Sequence, residues 1–168
     1  GTSIGMDFNP TVDRVRVVTS SGQNFRINPN NGAAAVADTR DGALNEAATP
    51  TTGVAETAYT NNTINATVTT QYTLTPAKLY IQNPPNNGVL VSGLAIAPAI
   101  TSVLGFDIAP GINVTTSSDP ATGSGFAVVK TAAGSAESIA SINLATGALG
   151  VIGSLPFTGS KGLTLQKP

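Results

Sequence analysis

Residues 4–32 read IGMDFNPTVDRVRVVTSSGQNFRINPNNG, and their pattern decides the fold class. Val15 and Val17 alternate with Arg14 and Arg16 across residues 13–19, the period-two signature of a half-buried strand. The SSGQ segment then turns the chain. Phe25 and Ile27 alternate with Asn24 and Arg26 in a further strand, and NPNNG at 28–32 is a strong turn, because Asn and Gly tolerate positive φ and Pro presets its own. A strand of small residues is expected next, ending near Ala37. With residues 4–8 this makes four short strands joined by turns, an antiparallel meander.

The unit recurs. LGFDIAP at 104–110 carries Gly, Asp and Pro at the offsets of IGMDFNP at 4–10. Between them lies a copy with a degenerate start, GVAETAYTNN at 53–62, then TTQYTLTP, KLYIQNPPNNG at 78–88 and VLVSGLAI at 89–96. The third copy continues with GFAVVKT at 125–131, SIASINLATG at 138–147 and ALGVIGSL at 148–155. The closing glycines Gly32, Gly88 and Gly147 stand 56 and 59 residues apart. Four strands repeated at such a period predict propeller-type blades. The expected fold is all-β, with about three antiparallel four-stranded repeats in a single domain over 1–168. The repeats fall at about 1–50, 51–100 and 101–157, with an extra terminal strand within about 158–168. The intervening DTRDGALNEAATPTTG and TNNTINATVTT, poor in large apolar residues, read as rim loops.

A chain of 168 residues can bury a core of its own. Only 10% of its residues are charged, its net charge is −1, and its eight basic residues are scattered, so nucleic acid is not an expected partner. Cysteine and histidine are absent, which excludes disulfides, thiolate and imidazole metal sites, and any nucleophile relay needing a histidine base. No apolar run reaches the length of a membrane span, so no insertion is expected. Low charge, abundant Thr, Asn and Gly, and no oxidisable thiol suit a bacterial surface or secreted protein.

Taken together and in order, GMDFNPTVDRVRVVTSSGQNFRINPNNGAAAV, AYTNN, QNPPNNG, LGFDIAP and INLATGALGVIGSL resemble the family of bacterial proteins with a DUF4394 domain. The resemblance covers nearly the whole chain. It implies a small β-propeller from an exported protein, with no established activity. It also implies one further blade ahead of Gly1 and a strand joining the last blade to the N-terminal one, so the N-terminal part of the usual domain is expected to be missing. Three twisted sheets do not readily close a ring, and an incomplete one leaves apolar faces and bare strand edges in water. Three explanations follow: the chain is a fragment, two copies join as a six-bladed ring, or a filament forms in which the terminal strand Gly162, Leu163, Thr164 and Leu165 is lent to a neighbour; self-association is the leading expectation.

Few residues suggest chemistry. Asp7 and Asp107 occupy equivalent repeat positions, where they could meet near a channel as a cation site or an acid and base. Alternatively each caps its own turn. Asp7, Asn9 and Asp13 supply oxygens in a loose calcium-loop pattern that lacks the central Gly and terminal Glu. Arg14, Arg16 and Arg26 fall on one face of adjacent strands, able to clamp an external carboxylate or sulfated sugar, or to pair with a nearby Asp. Tyr59, Tyr72 and Tyr80 all belong to the second repeat, and their small number argues against a dedicated sugar-binding platform. Three Asn-x-Thr triplets fit the glycosylation acceptor pattern.

The leading expectation is a non-enzymatic extracellular structural or interaction module, a homo-oligomer or polymer that could contact a surface or carbohydrate component, with no cofactor. The alternatives are a polysaccharide hydrolase or lyase with Asp7, Asp107 and Arg16 in the channel, and a calcium-dependent adhesin.

Overall fold

The structure, a computed structural model, describes residues 2–34 and 40–166. Among these the chain is all-β, with one short 3-10 turn at Pro85–Asn87 and no α-helix, hence no helix long and apolar enough to cross a membrane. Three sheets form, of three, six and four strands.

The first sheet runs β1 (Ile4–Asn9), β2 (Arg14–Thr19) and β3 (Asn24–Ile27), antiparallel in chain order. The alternation read from the sequence is present, but Val17 and its neighbour Val18 are both buried, because β2 is covered on both faces. An antiparallel bridge between Ile27 and Ala34 follows. The strand expected to end near Ala37 falls outside the described residues.

The second sheet departs from a four-stranded repeat. Chain order adds β4 (Asn45–Glu46), β5 (Thr49–Pro50), β6 (Glu56–Tyr59), β7 (Gln71–Leu74), β8 (Lys78–Gln82) and β9 (Val89–Ala95), arranged across the sheet as β5-β4-β9-β8-β7-β6. The stretch read as a rim loop, residues 38–53, thus supplies two short strands, with β4 parallel to β9. The cause is Leu44, the one large apolar residue in that stretch, which is fully buried with Val18, Val54, Tyr80 and Leu90 and draws the segment onto the sheet edge. Residues 60–70, the other expected loop, contain no strand.

The third sheet, β10 (Ser102–Ile108), β11 (Ser124–Lys130), β12 (Ser138–Asn143) and β13 (Leu149–Ser154), is the antiparallel four-stranded meander expected for each repeat. The three sheets do not close into a ring. Gly162–Leu165, expected as a strand, belongs to no sheet among the described residues, its Leu165 N–H being taken by the Asp107 carboxylate instead of a ladder partner.

The second sheet is sandwiched, and its two faces differ. Ala58, Tyr72, Leu74, Leu79 and Ile81 pack against Phe106, Ile108, Ala127, Val129, Ala140 and Ile142 of the third sheet in the main core. Each fully buried Leu or Ile there contributes roughly 1.5–3 kcal/mol. The opposite face bears Thr57, Tyr59, Gln71, Thr73 and Gln82, all buried, and meets the first sheet through hydrogen bonds. Gln71 donates to the Thr57 hydroxyl and to Gln82 at 3.0 Å each, and Gln82 donates to Asn24 at 3.1 Å, so the buried amides satisfy one another.

Candidate functional site

Both β1 and β10 pack on β6, and beside them segment 161–164 lines a cavity of about 580 Å³. Ile4, Met6, Phe8, Val15 and Leu163 supply apolar wall, and Asp7, Glu56 and Asp107 supply three carboxyl groups. Lys161 lies at the rim, where it is exposed.

The repeated aspartates do come together at one cavity, but neither simply caps its own turn. Asp7 accepts the Phe8 N–H at 2.7 Å with one oxygen and, with the other, the Tyr59 N–H of β6 at 2.7 Å. Asp107 accepts the Ile108 N–H at 2.7 Å and the Leu165 N–H at 2.6 Å. The glycine two residues earlier makes the approach possible. A Cβ on Gly5 would lie 2.4 Å from Glu56 Cα, and one on Gly105 would lie 2.6 Å from the Gly162 carbonyl carbon. Gly-x-Asp is therefore a docking device: the glycine lets a neighbouring backbone come close, and the aspartate holds its amide. By this geometry residues 162–165 stand to β10 as β6 stands to β1.

Burial pushes the Asp7 carboxyl up to about 7, against the Tyr59 amide that favours the charged form, with the negative charge of Asp107 adding to the rise. Burial also raises Asp107, partly offset by the amides of Leu165 and Ile108. Glu56, which sequence reasoning missed, is pushed up to about 8 by burial alone. It lies opposite Leu74 on the apolar face of the second sheet and is 8% exposed. The signal for it was available: it is the one acid in a stretch of small apolar and Thr residues, and it falls three positions before Tyr59, as Ile4 falls before Asp7.

The arginines lie elsewhere. Arg16 is 1% exposed and donates to Asn24 at 2.9 Å, Asp41 at 2.6 Å and Asn86 at 2.7 Å, so it is not in the cavity with the aspartates. Arg26, its cross-strand neighbour, grips both oxygens of Asp41 at 2.8 and 2.9 Å. This clamp holds a carboxylate of its own chain. Burial pushes Asp41 up, but the Arg26 hydrogen bonds and the charges of Arg16 and Arg26 outweigh it and hold the carboxyl below its ordinary value. Arg14 donates to the Asp13 carbonyl. No sequence signal marked Asp41 as the shared partner, because it lies in the stretch read as loop.

The oxygens of the calcium trio are engaged within the chain. Asp7 is committed to two amides, Asn9 accepts from the Thr11 N–H at 2.9 Å and its hydroxyl at 2.7 Å, and Asp13 accepts from Asn30 at 2.8 Å. Among the described residues no group of three or more Asp or Glu is placed to hold a metal ion. Tyr59, Tyr72 and Tyr80 are all buried, so none forms an exposed ring platform. Residues 162–165 are held down in the same chain: besides Asp107, Glu137 accepts the Gly159 N–H at 2.7 Å, the Ser160 N–H at 3.1 Å and the Ser160 hydroxyl just ahead of the segment.

A family model for a domain of unknown function, DUF4394, matches residues 1–164. The chain belongs to the DUF4394 family. Comparison of this DUF4394 domain with curated proteins and with solved structures found no match.

Proposed function

We propose that this DUF4394 domain is a non-enzymatic, extracellular structural module of propeller-type blades that self-associates through blade faces and strand edges. On this reading β1, β6 and β10 are the innermost strands of successive blades, and residues 161–165 are the innermost strand of another whose remaining strands come from a second copy.

The observation that carries the reading is the repeated docking. Gly105 and Asp107 seat residues 162–165 as Gly5 and Asp7 seat β6, yet β6 leads into a sheet and residues 162–165 pair with no strand among the described residues. Across the same cavity from that segment Ile4, Met6 and Phe8, on one face of β1, are 57%, 62% and 59% exposed. An apolar row beside an unpaired backbone segment is a surface that burial would stabilise. The low charge of the chain suits close packing of copies, and its composition suits an exported location.

The test is sedimentation velocity with light scattering across a concentration series, for the wild type and for Met6→Asp/Phe8→Asp. A defined oligomer or filament that the double variant abolishes, with unchanged circular dichroism, supports the reading. A wild type that stays monomeric at every concentration overturns it.

A hydrolase or lyase reading rests on the carboxyl groups with raised pKa around one cavity. Against it, every oxygen of Asp7 and Asp107 is engaged by a backbone amide.

A further inference from the structure

We propose that the cavity between β1, β6, β10 and residues 161–164 binds a small organic ammonium ion with an apolar body, with the Glu56 carboxylate as its counter-ion. The wall includes Ile4, Met6 and Phe8, the row that association would cover, so binding is a property of the unassociated copy.

Three observations carry it. First, the cavity has the size and make-up of a small-molecule site: about 580 Å³, walled by Ile4, Met6, Phe8, Val15 and Leu163, with few polar groups. Second, the Glu56 side chain lines it, is 8% exposed, and has no hydrogen-bond or ion-pair partner among the described residues. No side-chain oxygen is both fully buried and without a partner among the described residues, so the Glu56 oxygens open onto the cavity, where a bound group rather than the chain would supply their partner. Third, Glu56 breaks the local pattern. The terminal segment, docked in the same way, has Gly162 at the corresponding place, so the docking itself requires no acid there.

The sign of the ligand follows from the charges that face the cavity. Asp7, Glu56 and Asp107 are acidic and Lys161 alone is basic, so the ionised cavity has net negative charge. Burial holds Glu56 mostly protonated at neutral pH, and an ammonium placed beside it would restore the charged form and release a proton. A bare metal ion fits poorly, because each oxygen of Asp7 and Asp107 already accepts an amide and the wall is apolar.

The test titrates the 168-residue chain with benzylammonium, and with benzyl alcohol and benzoate as neutral and anionic isosteres, by calorimetry at pH 8.5 and pH 6. The oligomeric state of each sample is fixed by light scattering, so a failure here is separable from a failure of the association reading. Saturable binding of benzylammonium with a Kd of about 1 mM or tighter is expected at pH 8.5. It should weaken at least about tenfold at pH 6, with proton release seen as buffer-dependent heat, and at least about tenfold in Glu56→Gln with the fold intact. Equal binding of benzyl alcohol, undiminished binding by Glu56→Gln, or no saturable binding by about 10 mM would overturn the proposal.

Discussion

The carboxylate of Asp107 accepts the backbone N–H of Leu165 at 2.6 Å, across a separation of 58 residues, and so ties the end of the chain to the third sheet. The same group in the first repeat, Asp7, ties two whole sheets together. Equivalent residues thus carry different consequences. Asp107→Ala should release residues 161–165 while the melting temperature hardly moves, since nothing else is built on that segment. Tryptic cleavage after Lys161 should accelerate at least about tenfold, as expected for loss of roughly 1.5 kcal/mol of local restraint. Unchanged cleavage would sink the docking role assigned to Asp107.

Asp7→Ala should lower global stability instead, by about 2 kcal/mol, because the Tyr59 amide loses its acceptor where the first two sheets meet. Gly5→Ala should cost at least as much: its Cβ would sit 2.4 Å from Glu56 Cα, so the sheets must part. Urea denaturation of both variants checks this. An Asp7→Ala midpoint equal to wild type would show that the inter-sheet bond contributes nothing.

Stability should fall as pH rises from about 5 to 8. Glu56 and Asp7 have folded-state values of about 8 and about 7, above their ordinary 4.5 and 3.8. Between those limits the folded chain holds protons that the unfolded chain has released, so raising the pH favours unfolding, and the loss levels off above about 8. Asp41 acts oppositely: its depressed carboxyl supports the fold above the ordinary range and loses that support in acid. Thermal melts should therefore show a maximum near pH 5 and a drop of roughly 6 kcal/mol by pH 8.5, somewhat more than half of it absent in Glu56→Gln. A flat profile over that interval refutes the assignment of Glu56 as a buried acid.

Asp41→Asn leaves the Arg16 guanidinium, 1% exposed, without its counter-charge. Breaking one side of a buried pair costs about 3–5 kcal/mol, far more than loss of a surface ion pair. Guanidinium denaturation of Asp41→Asn against Glu46→Gln, which breaks the half-exposed pair with Lys78, should show the first variant much the weaker. Comparable losses would place Arg16 in a wetter setting than its burial indicates.

The candidate site was only half legible in the sequence. Asp7 and Asp107 were marked by recurring at one offset from Gly and Pro, and the structure brings both to one cavity. Their partners were not marked, because any residue except proline offers the same backbone amide to accept. Arg16 was grouped with Arg14 and Arg26 by strand register, yet alternation places a side chain on a face without saying what covers that face, and Asp41 covers it. Glu56 was passed over because its exposure depends on β1 and residues 161–164, which are remote in the chain.

The sequence by itself determined most of the strands and turns of this protein, since two-residue alternation and the φ preferences of Asn, Pro and Gly are properties of neighbouring residues. It also determined the Gly-x-Asp repeat and the family to which the chain belongs. Only the tertiary structure decided that β4 and β5 join the second sheet, that Arg16 and Arg26 share Asp41, and that Glu56 is buried without a partner. Each of these depends on which surfaces meet across tens of residues, where burial and hydrogen bonding act through space and leave no periodic trace in the chain.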